Sequence, residues 1–444
     1  MLKPIVLKNG LTILRFPRSG FQSFVAGFVT KTGSSIELST GYPQGISYLI
    51  ERLFWAGTDK HPNTRNLNST LEGMGGSFYS STTHELMELF LTVPTHQQFR
   101  AISFLAEIVQ RSVFDERDLQ REKESVLSIL RDFQPRFESE ITHVTLSGLY
   151  PESSLAEGME GTVDSIMGIK PEDVLRYLNQ QFHPEKSYLV LAGNFDNRAA
   201  MELVEQEWTY WAPKGRGYVD PQQIEHQQPQ ELPQFLSLQR GSQETVLTLA
   251  FQLDSGLLPS AKQLDTRENI WVSTAQLLLL NTILGKGFSS RLWSKSVEEE
   301  GFFRTIRSDL IRLSSVGHIQ IAGQLENTQF SFGLESIMSN LEALRKTTVS
   351  INELAKAKEL LKGTLLLEHE DILTAALWQV ENLIGSGQPI DLEDLLSLID
   401  EVSAPQIRSL AHSLFTPQRL SIVTLGTAKE TRLVEKLIEK YLLS

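Results

Sequence analysis

The sequence contains no cysteine. This absence excludes disulfide bonds, thiolate metal sites and a cysteine nucleophile, and it is compatible with a reducing compartment. Long apolar runs are also lacking, since no stretch reaches the ~18 residues that a membrane-spanning helix needs. The opening residues, MLKPIVLKNGLTILRF, alternate like a strand and include a proline and two lysines. We therefore expect no signal peptide there and a cytoplasmic protein.

Positive charge is scarce as well. The chain has 41 lysines and arginines against 54 aspartates and glutamates, which gives a formal net charge of -13. Proteins that bind nucleic acid or anionic membranes need a basic surface, so we expect neither partner. A basic peptide is the better electrostatic match.

Several patterns of catalytic and ligand-binding sites are missing. No two of the nine histidines are separated by three or four residues, so they cannot build a metal site on one helical face. The G-x-S-x-G nucleophile elbow and the G-x-x-x-x-G-K-[ST] phosphate loop do not occur. The histidines, serines and glycines thus give no direct indication of an enzyme class.

The length of 444 residues predicts two domains. One segment, 213–234, is rich in proline, glycine and glutamine and has neither a helical nor a strand period. We predict that it links an N-terminal domain, 1–212, to a C-terminal domain, 235–444.

The two halves of the chain resemble each other. Three residues recur 233 positions later, Phe182, Pro184 and Gly193 as Phe415, Pro417 and Gly426. In both places they lie between a helix-like segment and an apolar run. Each half is therefore predicted to end with a helix, a proline turn and a buried strand, as expected for a tandem duplication.

The order of elements predicts the fold class. Each half shows a strand pair, an apolar helix, a second strand pair and a long amphipathic helix. The apolar helices are expected near residues 46–54 and 272–284. Strand pairs interleaved with helices favour an α+β protein with two tandem homologous domains. Each domain is expected to be a mixed, mostly antiparallel sheet with helices packed on one face.

Two segments carry a family resemblance. The stretch GISYLIERLFWAGT, from Gly45 to Thr58, and the run GGSFYSST, from Gly75 to Thr82, resemble the signature of the pitrilysin, insulin-degrading and mitochondrial-processing peptidase family. The resemblance implies the fold shared by LuxS and the processing peptidases. In active members the helix carries an inverted H-x-x-E-H pattern, with two zinc-binding histidines and a glutamate that activates water.

The resemblance places the two histidine positions at Tyr48 and Arg52 and the base position at Glu51. A later stretch, FDERDLQREKESVLSIL, resembles the family's second helix and places a retained acidic position at Glu122 and the third zinc position at Ile129. A phenol with an ordinary pKa of about 10, a permanent guanidinium cation and an alkyl group would not hold Zn²⁺.

We therefore predict no metal and no cofactor in this chain, with zinc only in a partner. Glu51 alone cannot hydrolyse peptides, because the metal that polarises water is missing. We expect it to be a helix carboxylate paired with a nearby cation. A further hypothesis is that Arg52 pairs with Glu122 or Glu51 beside Tyr48 and so replaces the charge of the metal.

Other family positions also depart from the pattern. Tyr79 stands where active relatives carry an asparagine that holds the substrate backbone. In the second half LGKGFSSRLW resembles the family's glycine-rich loop, although an ordinary turn between a helix and a strand is an alternative. The loop residues are Gly285, Gly287, Ser289, Ser290 and Arg291. The Arg and Tyr that orient the substrate carbonyl are replaced by Val297 and Arg304.

These observations lead to three hypotheses. The first is a non-catalytic subunit of a heterodimeric zinc peptidase, which encloses peptides together with a zinc-bearing homologue. The second is a structural subunit of a larger complex, like the core proteins of a respiratory complex. The third is a peptidase with relocated metal ligands.

Overall fold

The structure is a computed structural model that describes residues 2–131, 137–151, 153–156, 158–212, 234–239, 241–254, 257, 267–387, 390–427 and 430–443. Of the predicted linker, 213–234, only residue 234 is among the described residues. The described residues form two compact units. Unit 1 draws on Met1–Gln134, Glu157–Ile224 and Glu368–Glu381, and unit 2 on Pro135–Ala156, Glu225–Leu367 and Asn382–Ser444. Each unit thus includes a short segment from the opposite half of the sequence.

The elements of the first half are, in order, β1 (Leu2–Val6), β2 (Thr12–Pro17), β3 (Ser23–Thr30), α1 (Ser35–Thr40), α2 (Ile46–Leu53), α3 (Thr64–Glu72), β4 (Ser77–Thr82), β5 (Met87–Pro94), α4 (Gln98–Arg111), α5 (Glu116–Arg131), α6 (Phe137–Leu149), α7 (Val163–Gly168), α8 (Pro171–Gln181), β6 (Ser187–Gly193) and α9 (Asn197–Trp208).

The second half contains, in order, β7 (Gln234–Gln239), β8 (Glu244–Gln252), α10 (Arg267–Gly285), α11 (Arg291–Trp293), a π-helical segment (Ser294–Glu299), β9 (Phe303–Arg312), β10 (Gly317–Glu326), α12 (Phe330–Lys346), α13 (Ile351–Glu368), α14 (Ile372–Ser386), α15 (Leu392–Glu401), α16 (Ala404–Leu414), β11 (Leu420–Gly426) and α17 (Thr431–Leu442). Short 3₁₀ turns at Pro184–Lys186 and Pro417–Arg419 precede β6 and β11.

The two sheets share one order of five strands, and the unit 1 sheet has β1 as an additional edge strand. The strand order is β1-β2-β6-β3-β5-β4 in unit 1 and β7-β11-β8-β10-β9 in unit 2. In each sheet one pair is parallel, β2 with β6 and β7 with β11, and the remaining pairs are antiparallel. The predicted α+β class, the repeat and its ending of helix, proline turn and strand are confirmed.

The N-terminal strand prediction needs one correction. The run from Val6 to Phe16 was expected to form a single strand, whereas the structure divides it between β1 and β2, which pair as an antiparallel hairpin. The turn between them needs Gly10, whose φ of 93° lies in the left-handed region that other residues avoid. The sequence does carry a signal for this turn, because Lys8, Asn9 and Gly10 interrupt the apolar alternation and Asn-Gly is a common hairpin dipeptide.

Helix α2 positions the segment that carries the family resemblance. Four of its residues share one face at helical spacing and are fully buried in the core of unit 1: Ile46, Leu49, Ile50 and Leu53. Each such side chain stabilises the fold by roughly 1.5–3 kcal/mol. Tyr48 and Arg52 lie on the other side of the helix and are only half-buried. The core therefore fixes the helix without depending on these two residues.

A buried carboxylate fixes the start of α2. Gly45, the residue before the helix, has a φ of 80° and offers no side chain for capping. Glu37 of α1, which is 3% exposed, accepts hydrogen bonds from the backbone N–H groups of Gly45 at 2.8 Å and Ser47 at 2.9 Å. The Ser47 hydroxyl donates to the Gly33 carbonyl at 3.1 Å and lies 2.8 Å from the Tyr177 hydroxyl. These contacts satisfy donors that the first helical turn leaves free.

Among the described residues, no helix combines the length and the apolarity required to cross a bilayer.

The Glu37 contact predicts a large effect on stability. Glu37→Ala leaves two buried N–H groups without an acceptor, so we expect the free energy of unfolding to fall by about 2–4 kcal/mol. Glu37→Gln keeps one acceptor oxygen and should lose less. Denaturant unfolding measures both, with the exposed Glu205→Ala as control. If Glu37→Ala unfolds at the same midpoint as Glu205→Ala, Glu37 does not anchor the helix.

Candidate functional site

The Arg52 side chain joins α2 to α5. Its Nε donates to Glu122 Oε2 at 3.0 Å, and its Nη2 donates to Ser125 Oγ at 2.8 Å. The guanidinium carbon lies 5.9 Å from the centre of the Tyr48 ring. The hypothesis that Arg52 pairs with Glu122 beside Tyr48 is confirmed. A positive charge with a carboxylate partner therefore lies at the point where the family resemblance places a zinc ligand.

Glu51 points toward the sheet instead. It is 6% exposed and accepts hydrogen bonds from Ser80 Oγ at 2.6 Å and Thr82 Oγ1 at 2.7 Å. Burial raises the pKa of its carboxyl, and the two hydroxyls and the charge of Arg52 offset part of that rise. The expected cation is thus not its hydrogen-bonding partner. The reason is geometric, because adjacent helical residues point in different directions and Arg52 turns to α5.

Ile129 lies further along the same face of α5. It follows Ser125 by four residues and Glu122 by seven, so the three share one side of the helix. Its side chain is 40% exposed and offers no metal-binding atom. Burial also raises the pKa of the Tyr48 phenol, although the nearby Arg52 opposes this, so Tyr48 keeps its proton at neutral pH.

The residues at the three family positions do not fit a zinc ion. A protonated phenol, a guanidinium bound to a carboxylate and an alkyl group supply neither the lone pairs nor the negative charge that Zn²⁺ requires. Elsewhere in the described ranges, no group of three or more histidines, cysteines, aspartates or glutamates could hold a metal ion.

Strand β4 lies beside α2 at the end of the unit 1 sheet. It pairs with β5 on one side and is the last described strand on the other, so that edge offers backbone N–H and C=O groups. Tyr79, at the family's asparagine position, lies on this strand and is 38% exposed. The ring of Phe78 stacks on Trp55 at 3.8 Å and ties β4 to the residues after α2.

Glu88 is a buried acid that the sequence analysis missed. It lies on β5 directly opposite Ser81 of β4 and is 1% exposed. In the described part of the chain its Oε1 has no hydrogen-bond partner. Burial, together with the negative charges of Glu381 and Glu51, raises its pKa from 4.5 to about 8. The available signal was a glutamate inside the apolar run ELMELFLTV.

The predicted glycine-rich loop lies in unit 2 as a turn between α10 and α11. A Cβ at Gly285, the last residue of α10, would lie 2.4 Å from the Ser308 backbone nitrogen, and Gly287 has a φ of 81°. Both positions therefore need glycine. The close approach is to β9 of the same chain.

Contacts with α13 fix the end of this loop. Arg291 forms a bidentate pair with Glu353, with Nε–Oε1 at 2.6 Å and Nη2–Oε2 at 2.9 Å. Lys356 Nζ donates to the Ser289 carbonyl at 3.0 Å. Ser290 precedes α11 with its hydroxyl buried. These contacts hold this end of the loop, and near its start Lys286 Nζ donates to Asp309 Oδ1 of β9 at 2.8 Å.

The two positions of the family's Arg and Tyr pair also lie in unit 2. Val297 is a half-buried residue of the π-helical segment. Arg304, on β9, is exposed and forms an ion pair with Glu244 at 3.3 Å. Neither residue reproduces the chemistry of the arginine and tyrosine that it replaces.

The raised pKa of Glu88 predicts how stability changes with pH. The folded protein keeps the proton up to about pH 8, whereas the unfolded chain loses it near the ordinary value of 4.5. Stability should therefore fall as pH rises between these values, by at most about 1.4 kcal/mol per pH unit, and level off above them. Glu88→Gln cannot ionise and should remove this slope. Urea unfolding from pH 5 to 9 measures it, with Glu205→Gln as control; parallel curves for wild type and Glu88→Gln would contradict the assignment.

Family models match most of the chain. Residues 21–162 match the model described as insulinase, peptidase family M16, and residues 168–361 match the peptidase M16 inactive domain. Together the two matches cover about three quarters of the 444 residues. The first match includes α2, β4 and α5.

Relatives are similar over almost the whole chain. An uncharacterized zinc protease, YmxG, from Bacillus subtilis is 24% identical over 94% of this chain and 96% of its own length. The beta subunit of the mitochondrial-processing peptidase from Rattus norvegicus is 22% identical over 95% of this chain and 83% of its own.

Solved structures share the fold. A peptidase M16 inactive domain from Pseudomonas fluorescens superposes with a TM-score of 0.82 at 20% identity, over 96% of this chain and 98% of its own. A chain of complex III2 from Candida albicans gives 0.77 at 16% identity, over 98% of this chain and 99% of its own. These findings agree with the sequence resemblance, and the chain belongs to peptidase family M16.

Proposed function

We propose that this chain is a non-catalytic subunit of a heterodimeric zinc peptidase. It forms part of the wall that encloses a peptide, and a zinc-bearing homologue supplies the metal and the catalytic base. No zinc binds to this chain itself. We place the assembly in the cytoplasm.

The observation that carries the proposal is the contact of Arg52 with Glu122 and Ser125. A cation held by two residues of α5 at a zinc-ligand position would repel Zn²⁺. Glu51 is the only family residue of the catalytic pattern that remains, and both of its oxygens already accept hydrogen bonds from β4. A general base without a metal lacks the Lewis acid that activates water and stabilises the oxyanion.

The free edge of β4 supports a role in peptide binding. An extended peptide can add to an open edge as a further strand, because the unpaired backbone groups supply its hydrogen bonds. The exposed Tyr79 ring offers an apolar surface beside this edge. The net charge of -13 favours basic peptides over acidic ones.

Two relatives support a role in an assembly with other subunits. The rat relative is by name one subunit of a processing peptidase. The structural neighbour in complex III2 keeps open the second hypothesis, a structural subunit of a larger assembly. The third hypothesis, a peptidase with relocated ligands, requires a metal site elsewhere in the chain.

A restoration experiment tests the substituted metal site. The triple change Tyr48→His, Arg52→His and Ile129→Glu supplies two imidazoles four residues apart on α2 and a carboxylate on the facing side of α5. We expect stoichiometric zinc in the purified variant and none in the wild type, measured by inductively coupled plasma mass spectrometry. As control, the same residues are introduced at exposed positions of α9. Stoichiometric, chelator-sensitive zinc in the wild type would support relocated ligands and overturn the proposal.

Co-expression tests the partnership. We expect the chain to co-purify with an H-x-x-E-H homologue from the same genome and to raise cleavage of a basic peptide at least about tenfold over that homologue alone. Tyr79→Ala should lower the cleavage rate and leave the complex intact. Tyr210→Ala, at an 89% exposed tyrosine, should change neither.

Three results would count against this function. If size-exclusion chromatography shows no complex, the two chains are not partners. A complex with unchanged cleavage would favour the structural role. Equal cleavage rates for Tyr79→Ala and Tyr210→Ala would show that β4 is not part of the peptide site.

A further inference from the structure

A second potential site lies on the helical side of unit 1. A cavity of about 410 Å³ opens between α3, α4 and α9. Its size falls within the roughly 300–1,000 Å³ of small-molecule sites. None of its described lining residues belongs to α2, β4 or α5, so it is separate from the proposed peptide site.

One part of the cavity wall is apolar. Met74 and Phe104 are buried, and Leu203 of α9 is half-buried. Phe99 of α4 lines the same cavity with 39% of its surface exposed. An apolar group that enters the cavity can therefore remove aromatic and aliphatic surface from water.

Another part of the cavity wall is positively charged and carries three cations, Lys60, Arg100 and Arg111. Arg111 Nη1 lies 3.9 Å from Asp59, which is a weak contact between two exposed side chains. Arg100 donates to the Gln97 side-chain carbonyl at 3.1 Å. Within the described ranges neither Lys60 nor Arg100 forms an ion pair. Their charges remain available to a ligand, although the whole chain is strongly negative.

The two acids of the wall accept hydrogen bonds from neighbouring side chains. Glu107 Oε1 accepts from the Thr58 hydroxyl and lies 2.6 Å from His61 Nδ1. Glu207 Oε1 accepts from Ser103 Oγ at 3.1 Å. Each carboxylate thus has partners from the protein, and neither contacts the three cations at ion-pair distance.

We propose that this cavity binds a small organic anion, with a sulfate, phosphate or carboxylate head on an apolar body. The head contacts Lys60 and Arg111, which lie at the same end of α4 because the Asp59 N–H donates to the Arg111 carbonyl, and the body extends along the buried apolar wall toward Phe99. This site does not depend on the proposed peptidase partnership.

Fluorescence of anilinonaphthalene sulfonate, an aromatic anion, tests the site on the full chain. We expect saturable binding of one dye per chain. The double variant Lys60→Gln and Arg111→Gln should bind at least about tenfold more weakly, because charge-assisted contacts are lost. The matched control, Arg198→Gln with Arg408→Gln, removes two exposed cations from other surfaces and should bind as the wild type does.

Competition identifies the ligand class. Octyl sulfate should displace the dye at concentrations at least about tenfold lower than octyl glucoside or inorganic sulfate at equal ionic strength. Ser103→Trp, which fills the cavity, should abolish the fluorescence increase, while its thermal midpoint shows whether the variant still folds.

Three results would overturn the proposal. Equal displacement by octyl glucoside would show an apolar site without anion recognition, and equal displacement by inorganic sulfate would show an anion site without an apolar body. Unchanged dye affinity in a folded Ser103→Trp variant or in the Lys60/Arg111 variant would place the dye elsewhere.

Discussion

The contact between Arg52 and Glu122 is the interaction on which the character of the site depends, because it joins α2 to α5 where a metal would otherwise join them. The pair is only partly exposed, with side-chain exposures of 28% and 14%, so solvent screens it less than an ordinary surface pair. Ser125 satisfies a further donor of the guanidinium. Removing either charge would leave the other poorly compensated, so the two residues are energetically coupled. The same pair that stabilises the packing of the two helices therefore opposes a divalent cation.

Two buried glutamates near this contact differ in how the protein compensates the loss of water around their carboxyl groups. Glu51 has a hydroxyl donor for each oxygen, which compensates the water it has lost. Glu88 has one buried oxygen without a donor and two negative neighbours, so it remains protonated instead. The difference arises from their positions. Glu51 reaches the hydroxyls of Ser80 and Thr82 on β4, whereas Glu88 lies on β5 near the charges of Glu51 and Glu381.

Much of the fold could be predicted, since the matching ends of the two halves and the strand pairs depend on local periodicity and proline turns. The family positions suggested two partners for Arg52, Glu122 and Glu51, and only the packing of α2 on α5 decides between them. Other features depend on tertiary contacts without a local signal. Glu37 caps a helix that begins nine residues later, and the hydroxyl partners of Glu51 lie about thirty residues downstream. The hairpin at Gly10 does have a local signal, the Asn9-Gly10 dipeptide, which the strand prediction did not use.

Packing also explains how such a scaffold can lose a metal site and keep its fold. The buried face of α2 consists of four fully enclosed aliphatic residues, while Tyr48 and Arg52 are half-buried and Ile129 is 40% exposed. Substitutions at these outer positions leave the buried face of α2 unchanged. The unit 2 sheet repeats the order of five unit 1 strands, and its edge strand β9 carries a different charged group, Asp309 paired with Lys286 and Arg307. Both units use one topology, so the sheet and its core do not determine the chemistry of a site. That chemistry depends on the few side chains on the facing sides of α2 and α5.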